Sequence, residues 1–154
     1  MLTSRLGFLV CALLVAAALV SCGKEKRETG VETGAIQWLT SFDAALAAAR
    51  DANKPVMIDF YTDWCGWCKR LDGETYVDRQ VVSAAADFVC VKINADMDRA
   101  TTSKYNITGF PTIIFVSPAG DEVHRVVGYR PPPPAAQNFL AEMNRALQAF
   151  KGRS

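Results

Sequence analysis

The chain has 154 residues, enough for one domain with a real core. An apolar share of 50% against 21% charged residues excludes a disordered chain. Seventeen basic and 16 acidic side chains leave a formal net charge of +1, and with no basic stripe nothing marks the chain for nucleic acid.

The first segment stands apart. Arg5 precedes an uncharged apolar run from Leu6 to Val20, shorter than the roughly 20 residues a membrane span needs. It suits the apolar core of a secretory signal. The run ends in Leu19-Val20-Ser21-Cys22-Gly23, which resembles a bacterial lipobox, with Cys22 lipidated and made the new N-terminus. The alternatives are a plain signal peptide or an uncleaved anchor. Gly23 in place of Asp resembles the sorting signal for the outer membrane. Residues 1–21 are therefore expected to be a lipoprotein signal peptide, 22–34 a flexible tether, and 35–151 the folded domain. The expected place is the bacterial cell envelope, with the domain lipid-anchored in the periplasm. Acyl chains at ~0.8 kcal/mol per CH₂ would hold it there. Cleavage removes Arg5 and leaves the remaining charges balanced, so the domain steers no partner by net charge.

Ile36 to Leu39 is a short strand candidate. Thr40-Ser41-Phe42-Asp43 has a capping hydroxyl and an acid three residues on, and Phe42, Ala45, Leu46 and Ala49 follow at helical spacing. Pro55 stops that helix before Asn53-Lys54. Val56 to Tyr61 is almost continuously apolar, as in a strand buried on both faces. A helix is expected from Gly66 through Tyr76 and a second, short one between Asp78 and Ala86. Phe88 to Ile93 is a buried strand, and Asp98 to Tyr105 a helix ending near Asn106. Thr112 to Val116 and Glu122 to Val127 flank a turn at Ser117-Pro118-Ala119-Gly120-Asp121 and form a hairpin. Pro131 to Pro134 is a stiff connector, with Pro134 suited to the first position of a last helix. Phe139, Met143, Ala146, Leu147 and Phe150 give that helix its apolar face. A parallel βαβ unit followed by an antiparallel hairpin defines an α/β fold with a mixed sheet and helices on both faces.

Five cysteines occur, and export would place them where disulfides persist. Cys11 leaves with the signal and Cys22 is taken by lipid, so Cys65, Cys68 and Cys90 remain, an odd number. Cys65 and Cys68 lie in "DWCGWCKR", residues 63–70. Three readings are open: half a metal site, a structural staple, or a redox pair. Zinc wants about four ligands, and only mid-strand Cys90 and His124 could join. A staple closing so small a loop constrains the unfolded chain little. At positions i and i+3 of a helix start, two cysteines share a face with Cβ atoms ~5–6 Å apart, within easy reach of bonding. Cys65, at the positive end of the helix, is expected to be the exposed nucleophile, and Cys68 the resolving thiol.

"VMIDFYTDWCGWCK" followed by "YNITGFPTIIFVSPAGDEV" resembles the thioredoxin family, and within it the C-terminal thioredoxin-like domain of bacterial transmembrane thiol–disulfide interchange reductases and their small exported relatives. The resemblance covers about residues 36–150 and includes Gly128 after the hairpin. It implies a thioredoxin fold for 35–151 and a redox-active Cys65–Cys68 disulfide with no further cofactor and no metal. The implied activity is thiol–disulfide exchange on cysteines of exported proteins by a monomeric domain, fed by an unidentified membrane electron donor. Asp59, six residues before Cys65 in an apolar strand, reads as a proton acceptor for Cys68 with its pKa raised by burial, or as a carboxylate facing water at an edge. The resemblance implies a cis Phe110–Pro111 bond that sets the Phe110 backbone beside the cysteines. Trp64, Gly66, Trp67, Phe110 and Pro111 are then the expected substrate-binding residues, with part of Trp64 packing in the core. Trp67 stands where strongly oxidising relatives carry a histidine, so the expected direction is reduction. Oxidase, isomerase or a non-catalytic thioredoxin-fold binding module are the alternatives. Cys90 reads as a small buried apolar residue, His124 as a surface strand residue, and Tyr61 and Tyr76 as packing.

Overall fold

The structure, a computed structural model, describes residues 34–129 and 135–153. The expected signal peptide, Cys22, nearly all of the tether and Pro131 to Pro134 lie outside the described residues.

Strand β1 (Trp38–Leu39) leads into helix α1 (Phe42–Ala52). Ser41, not Thr40, caps it, its hydroxyl accepting the Ala44 N–H at 3.3 Å. The expected box therefore does not form: three residues after Ser41 stands Ala44, which has no acceptor, and Asp43 instead complements the helix dipole in the first turn. Asn53 closes the helix in the left-handed region at φ 49°, just before Pro55. Strand β2 (Val56–Tyr61) follows as expected.

The helix expected over 66–76 is divided. Helix α2 (Gly66–Arg70) passes into a π-turn over Leu71–Thr75, in which the Tyr76 N–H reaches back five residues to the Leu71 carbonyl at 3.1 Å. Helix α3 (Arg79–Ala85) starts at Asp78, whose Oδ1 accepts the N–H groups of Gln80 and Val81 at 2.9 and 3.2 Å. Asp78→Ala is expected to destabilise the domain by about 1 kcal/mol in urea unfolding.

Strand β3 (Val89–Asn94), helix α4 (Arg99–Lys104), the hairpin β4 (Thr112–Val116) and β5 (Glu122–Val127), and helix α5 (Ala135–Lys151) complete the domain. The sheet order is β1-β3-β2-β4-β5, with β2 parallel to β3 and antiparallel to β4. β2 is the middle strand and helices cover both faces, so Val56 to Phe60 are all buried. Alternation along the strand splits the core in two. Val56, Ile58 and Phe60 pack with Val91, Ile93, Ile114 and the apolar face of α1. Met57 packs with Cys90, Ile113, Phe115, Tyr76 and, from α5, Phe139, Met143 and Ala146. Asp59 stands on the second face.

The pairing fixes what meets at one end of the sheet. The C-terminal ends of β2, β3 and β5 and the start of β4 all lie there. Among the described residues no helix is long and apolar enough to cross a membrane.

Candidate active site

The chain leaves β2 at that end, turns at Thr62, whose carbonyl accepts the Cys65 N–H at 3.1 Å, and enters α2 with Cys65 as its cap. Cys65 and Cys68 are bridged, with S–S 2.08 Å and Cα atoms 5.3 Å apart. The Cys68 N–H donates to Cys65 Sγ at 3.0 Å. A backbone donor aimed at sulfur stabilises negative charge there, so the helix start favours a Cys65 thiolate once the bridge opens.

The expected exposure of Cys65 is corrected. Cys65 and Cys68 are 5% and 3% exposed, nearly alike, because the bridge lies between outward-standing side chains. The hydrogen bond, not exposure, distinguishes the two sulfurs. Trp64 is also corrected: at 69% exposed it packs in no core, and Trp67 is 50% exposed. Trp64 is fixed instead by its indole N–H, which donates to Asp96 Oδ2 at 3.0 Å, and by the edge-to-face ring of Phe110 at 5.8 Å. The Phe110–Pro111 bond is cis. Nothing lies within 4 Å of where a Gly66 side chain would begin, so the chain surface between the two cysteines is unobstructed.

On the other flank Trp67 stacks on Tyr129 at 5.9 Å. Gly128, at φ 78°, makes this turn and donates its N–H to the Pro111 carbonyl at 2.8 Å, tying the end of β5 to the start of β4. The Arg70 guanidinium lies over both rings, at 5.4 and 5.6 Å, and its Nε bonds Glu74 Oε1 at 2.9 Å. Glu74 also accepts the Tyr129 hydroxyl, and Tyr129 first and Arg70 second hold its carboxyl below the ordinary value.

Asp59 is fully buried, so the water-facing alternative falls. The parallel register sets it beside Lys92, whose Nζ is 3.3 Å from Oδ2. That contact is an ion pair without hydrogen-bond alignment, and both carboxylate oxygens lack a hydrogen-bond partner. Burial pushes the Asp59 pKa up from 3.8 to about 6, against the pull of Lys92 and with a further push from Asp72. Lys92 bonds Asp72 of the π-turn and lies 5.2–5.4 Å from the rings of Trp38, Tyr61 and Tyr76. Lys92 thus links a buried acid to an acid that is half exposed. The buried Tyr76 hydroxyl beside Asp59 is held well above an ordinary phenol, by burial first and the carboxylates second. Tyr61 and Tyr76 therefore also wall the cation, beyond the packing role read for them.

The remaining residues lie elsewhere. Burial pushes the Cys90 thiol up to about 12, which keeps it an unreactive core side chain. His124 is corrected from a surface residue: half-buried, it bridges β5 to α5 through Glu142 at 2.7 Å. Among the described residues no three His, Cys, Asp or Glu side chains gather as metal ligands. The sequence reading missed Lys92, Asp72, Arg70, Glu74, Asp96 and Tyr129. For Lys92 a signal existed: "VCVKIN" and "VMIDFY" are neighbouring apolar strands, each with one charge near its middle.

Fold and site together define a thioredoxin-fold protein of the thiol–disulfide oxidoreductase class. The family model described as a thioredoxin-like domain matches residues 42–144, and the chain belongs to that family. It is 36% identical over 132 residues to the thiol:disulfide interchange protein DsbD of Ralstonia nicotianae, covering 82% of this chain and 21% of that protein. Against the DsbD of Escherichia coli K12 it is 33% identical over 138 residues, covering 79% of this chain and 24% of that protein. The chain thus spans about a fifth to a quarter of the length of these curated relatives. Among solved structures, a thioredoxin from Thermus thermophilus matches with TM-score 0.64 and 28% identity, covering 74% of this chain and 88% of that one. A DsbH oxidoreductase matches with TM-score 0.65 at 20% identity, covering 75% and 86%, and supports the fold.

Proposed function

We propose that the chain is an exported, membrane-tethered reductase that opens disulfides of cell-envelope proteins through Cys65 and Cys68. The observation that carries this is the bridged pair at the start of α2, with unobstructed space at Gly66 between its cysteines and two exposed tryptophans beside it, and with a buried carboxylate and its lysine beneath the same end of the sheet.

The Cys65 thiolate attacks one sulfur of a substrate disulfide, forming a mixed disulfide and releasing the other substrate sulfur as a thiolate. Cys68 then loses its proton, Asp59 being the acceptor, and attacks Cys65 Sγ. The second substrate thiolate leaves. The substrate gains two electrons and the protein loses two, ending as the Cys65–Cys68 disulfide. A dithiol donor at the membrane reverses that change, and no cofactor beyond the pair is needed. Asp59, near pKa 6, can take a proton at neutral pH and return it through Lys92 and Asp72 toward water. Phe110, Pro111, Trp64, Gly66 and Trp67 receive the substrate segment.

The location rests on the sequence of residues 1–34 and on relatives named as interchange proteins. Mass spectrometry of the mature protein should find acyl chains on Cys22. An unmodified N-terminus would refute the anchor.

The activity is tested with reduced protein and a peptide disulfide, using dithiothreitol to regenerate the pair. Reduction should follow Cys65 and stop in Cys65→Ser. A wild-type pair that stays closed under excess dithiothreitol would make the chain a binding module. In the reduced protein iodoacetamide should label Cys65 far faster than Cys68, because only Cys65 Sγ receives a backbone N–H. Equal labelling would refute the assignment of roles.

A further inference from the structure

The two flanks of the disulfide carry opposite charge. Trp64 is tied to the end of β3 through Asp96, and Trp67 to the end of β5 through Tyr129. The sheet order sets β3 and β5 on opposite sides of β2, from which the disulfide rises. On the β3 flank stands exposed Asp96, and no ion pair neutralises it among the described residues. On the β5 flank stands Arg70, exposed and lying over Trp67 and Tyr129.

Arg70 is held in place. Two aromatic faces and Glu74 fix the side chain, yet the Glu74 bond occupies only Nε. Both terminal nitrogens remain free among the described residues, presented in the planar geometry that suits a carboxylate. Glu74 offsets part of the Arg70 charge at Nε, and the terminal nitrogens keep their donors.

We propose that this polarised rim selects partners whose redox cysteine has an acidic residue on one side and a basic residue on the other, and so sets the direction in which the segment docks. This deepens the reading that Cys65 and Cys68 exchange with a partner disulfide. Dimensions fit: strands three steps apart are about 14 Å apart, the span of roughly four residues of extended chain. In such a chain the residues two before and two after a cysteine share its face. Those two positions meet the two flanks while the cysteine meets the bridge.

Three disulfide-linked peptide homodimers test it. Each has one central cysteine, with Glu two residues before and Lys two after, the reverse, or Gln at both positions. Their reduction by the full reduced domain is followed by stopped-flow tryptophan fluorescence. One charged peptide should react about three- to tenfold faster than its reverse, the scale of two exposed charge pairs. The ratio should shrink in both Arg70→Gln and Asp96→Asn, and should collapse toward one in 0.5 M salt. Equal rates for the two charged peptides, a ratio that survives salt, or a ratio untouched by both substitutions would overturn the proposal. Reduction of the Gln peptide separates the cases: if it fails, the exchange activity itself is absent.

Discussion

Replacing Asp59 by Asn is expected to make the protein more stable and slower at once. The stability change follows from the raised pKa. The folded-state value is about 6 and the ordinary value 3.8, so between these pH values the folded protein holds a proton that the unfolded chain has lost. Stability therefore falls as pH rises through that window, and the whole penalty, about 3 kcal/mol, stands above pH 6. Asn carries no charge and escapes it. The gain is reduced by the lost pairing with Lys92, which keeps Asp72 as its partner. Urea unfolding should show a more stable variant at pH 7.5 and no advantage near pH 3.5. Turnover should fall about ten- to a hundredfold at pH 7, at or below the low end of general acid–base effects, because thiols ionise more easily than alcohols. Wild-type turnover should also fall as pH drops below about 6, where Asp59 keeps its proton. A variant with wild-type rates across this range would remove Asp59 from the mechanism. A variant no more stable at neutral pH would remove the buried charge.

Cys68→Ala should stop turnover altogether while leaving the first chemical step intact. Cys65 keeps its place at the start of α2, but its backbone donor no longer has a resolving thiol behind it. Attack on a substrate then ends at the mixed disulfide, which non-reducing gels and mass spectrometry detect as a covalent adduct on Cys65. The proteins caught this way identify the substrates. Cys65→Ser should form no adduct. Adducts of comparable yield through Cys68 in Cys65→Ser would reverse the two roles.

Much of this architecture is legible in the order of the amino acids alone. β2 and β4 have the expected limits because each is a compact apolar run that follows a proline, and β5 because the turn before it and Gly128 after it bound the strand. Cys65, Cys68, Asp59 and the Phe110–Pro111 turn stand out because each breaks a local pattern. The missing parts depend on chain segments far apart in sequence. Lys92 meets Asp59 only through strand register, and Asp72 reaches Lys92 only because the helix after Cys68 loosens into a π-turn. Tyr129 covers Trp67 because Gly128 turns the chain at a positive φ. Solvent exposure is equally non-local. Cys65 is sheltered and Trp64 projects, the reverse of what the nucleophile role of the one and the aromatic bulk of the other suggest.

The redox potential tests the central claim most directly. Equilibrating the domain with glutathione buffers and following Trp64 and Trp67 fluorescence gives the midpoint of the Cys65–Cys68 couple. No charged residue lies between the cysteines, and a buried Asp59 carboxylate opposes a thiolate nearby, so the reduced form gains little extra stability. The expected midpoint is nearer the ~−270 mV of thioredoxin than the ~−120 mV of a strong oxidant. A midpoint above about −150 mV would make the protein an oxidase, and a signal that no glutathione ratio changes would mean that the pair does not cycle.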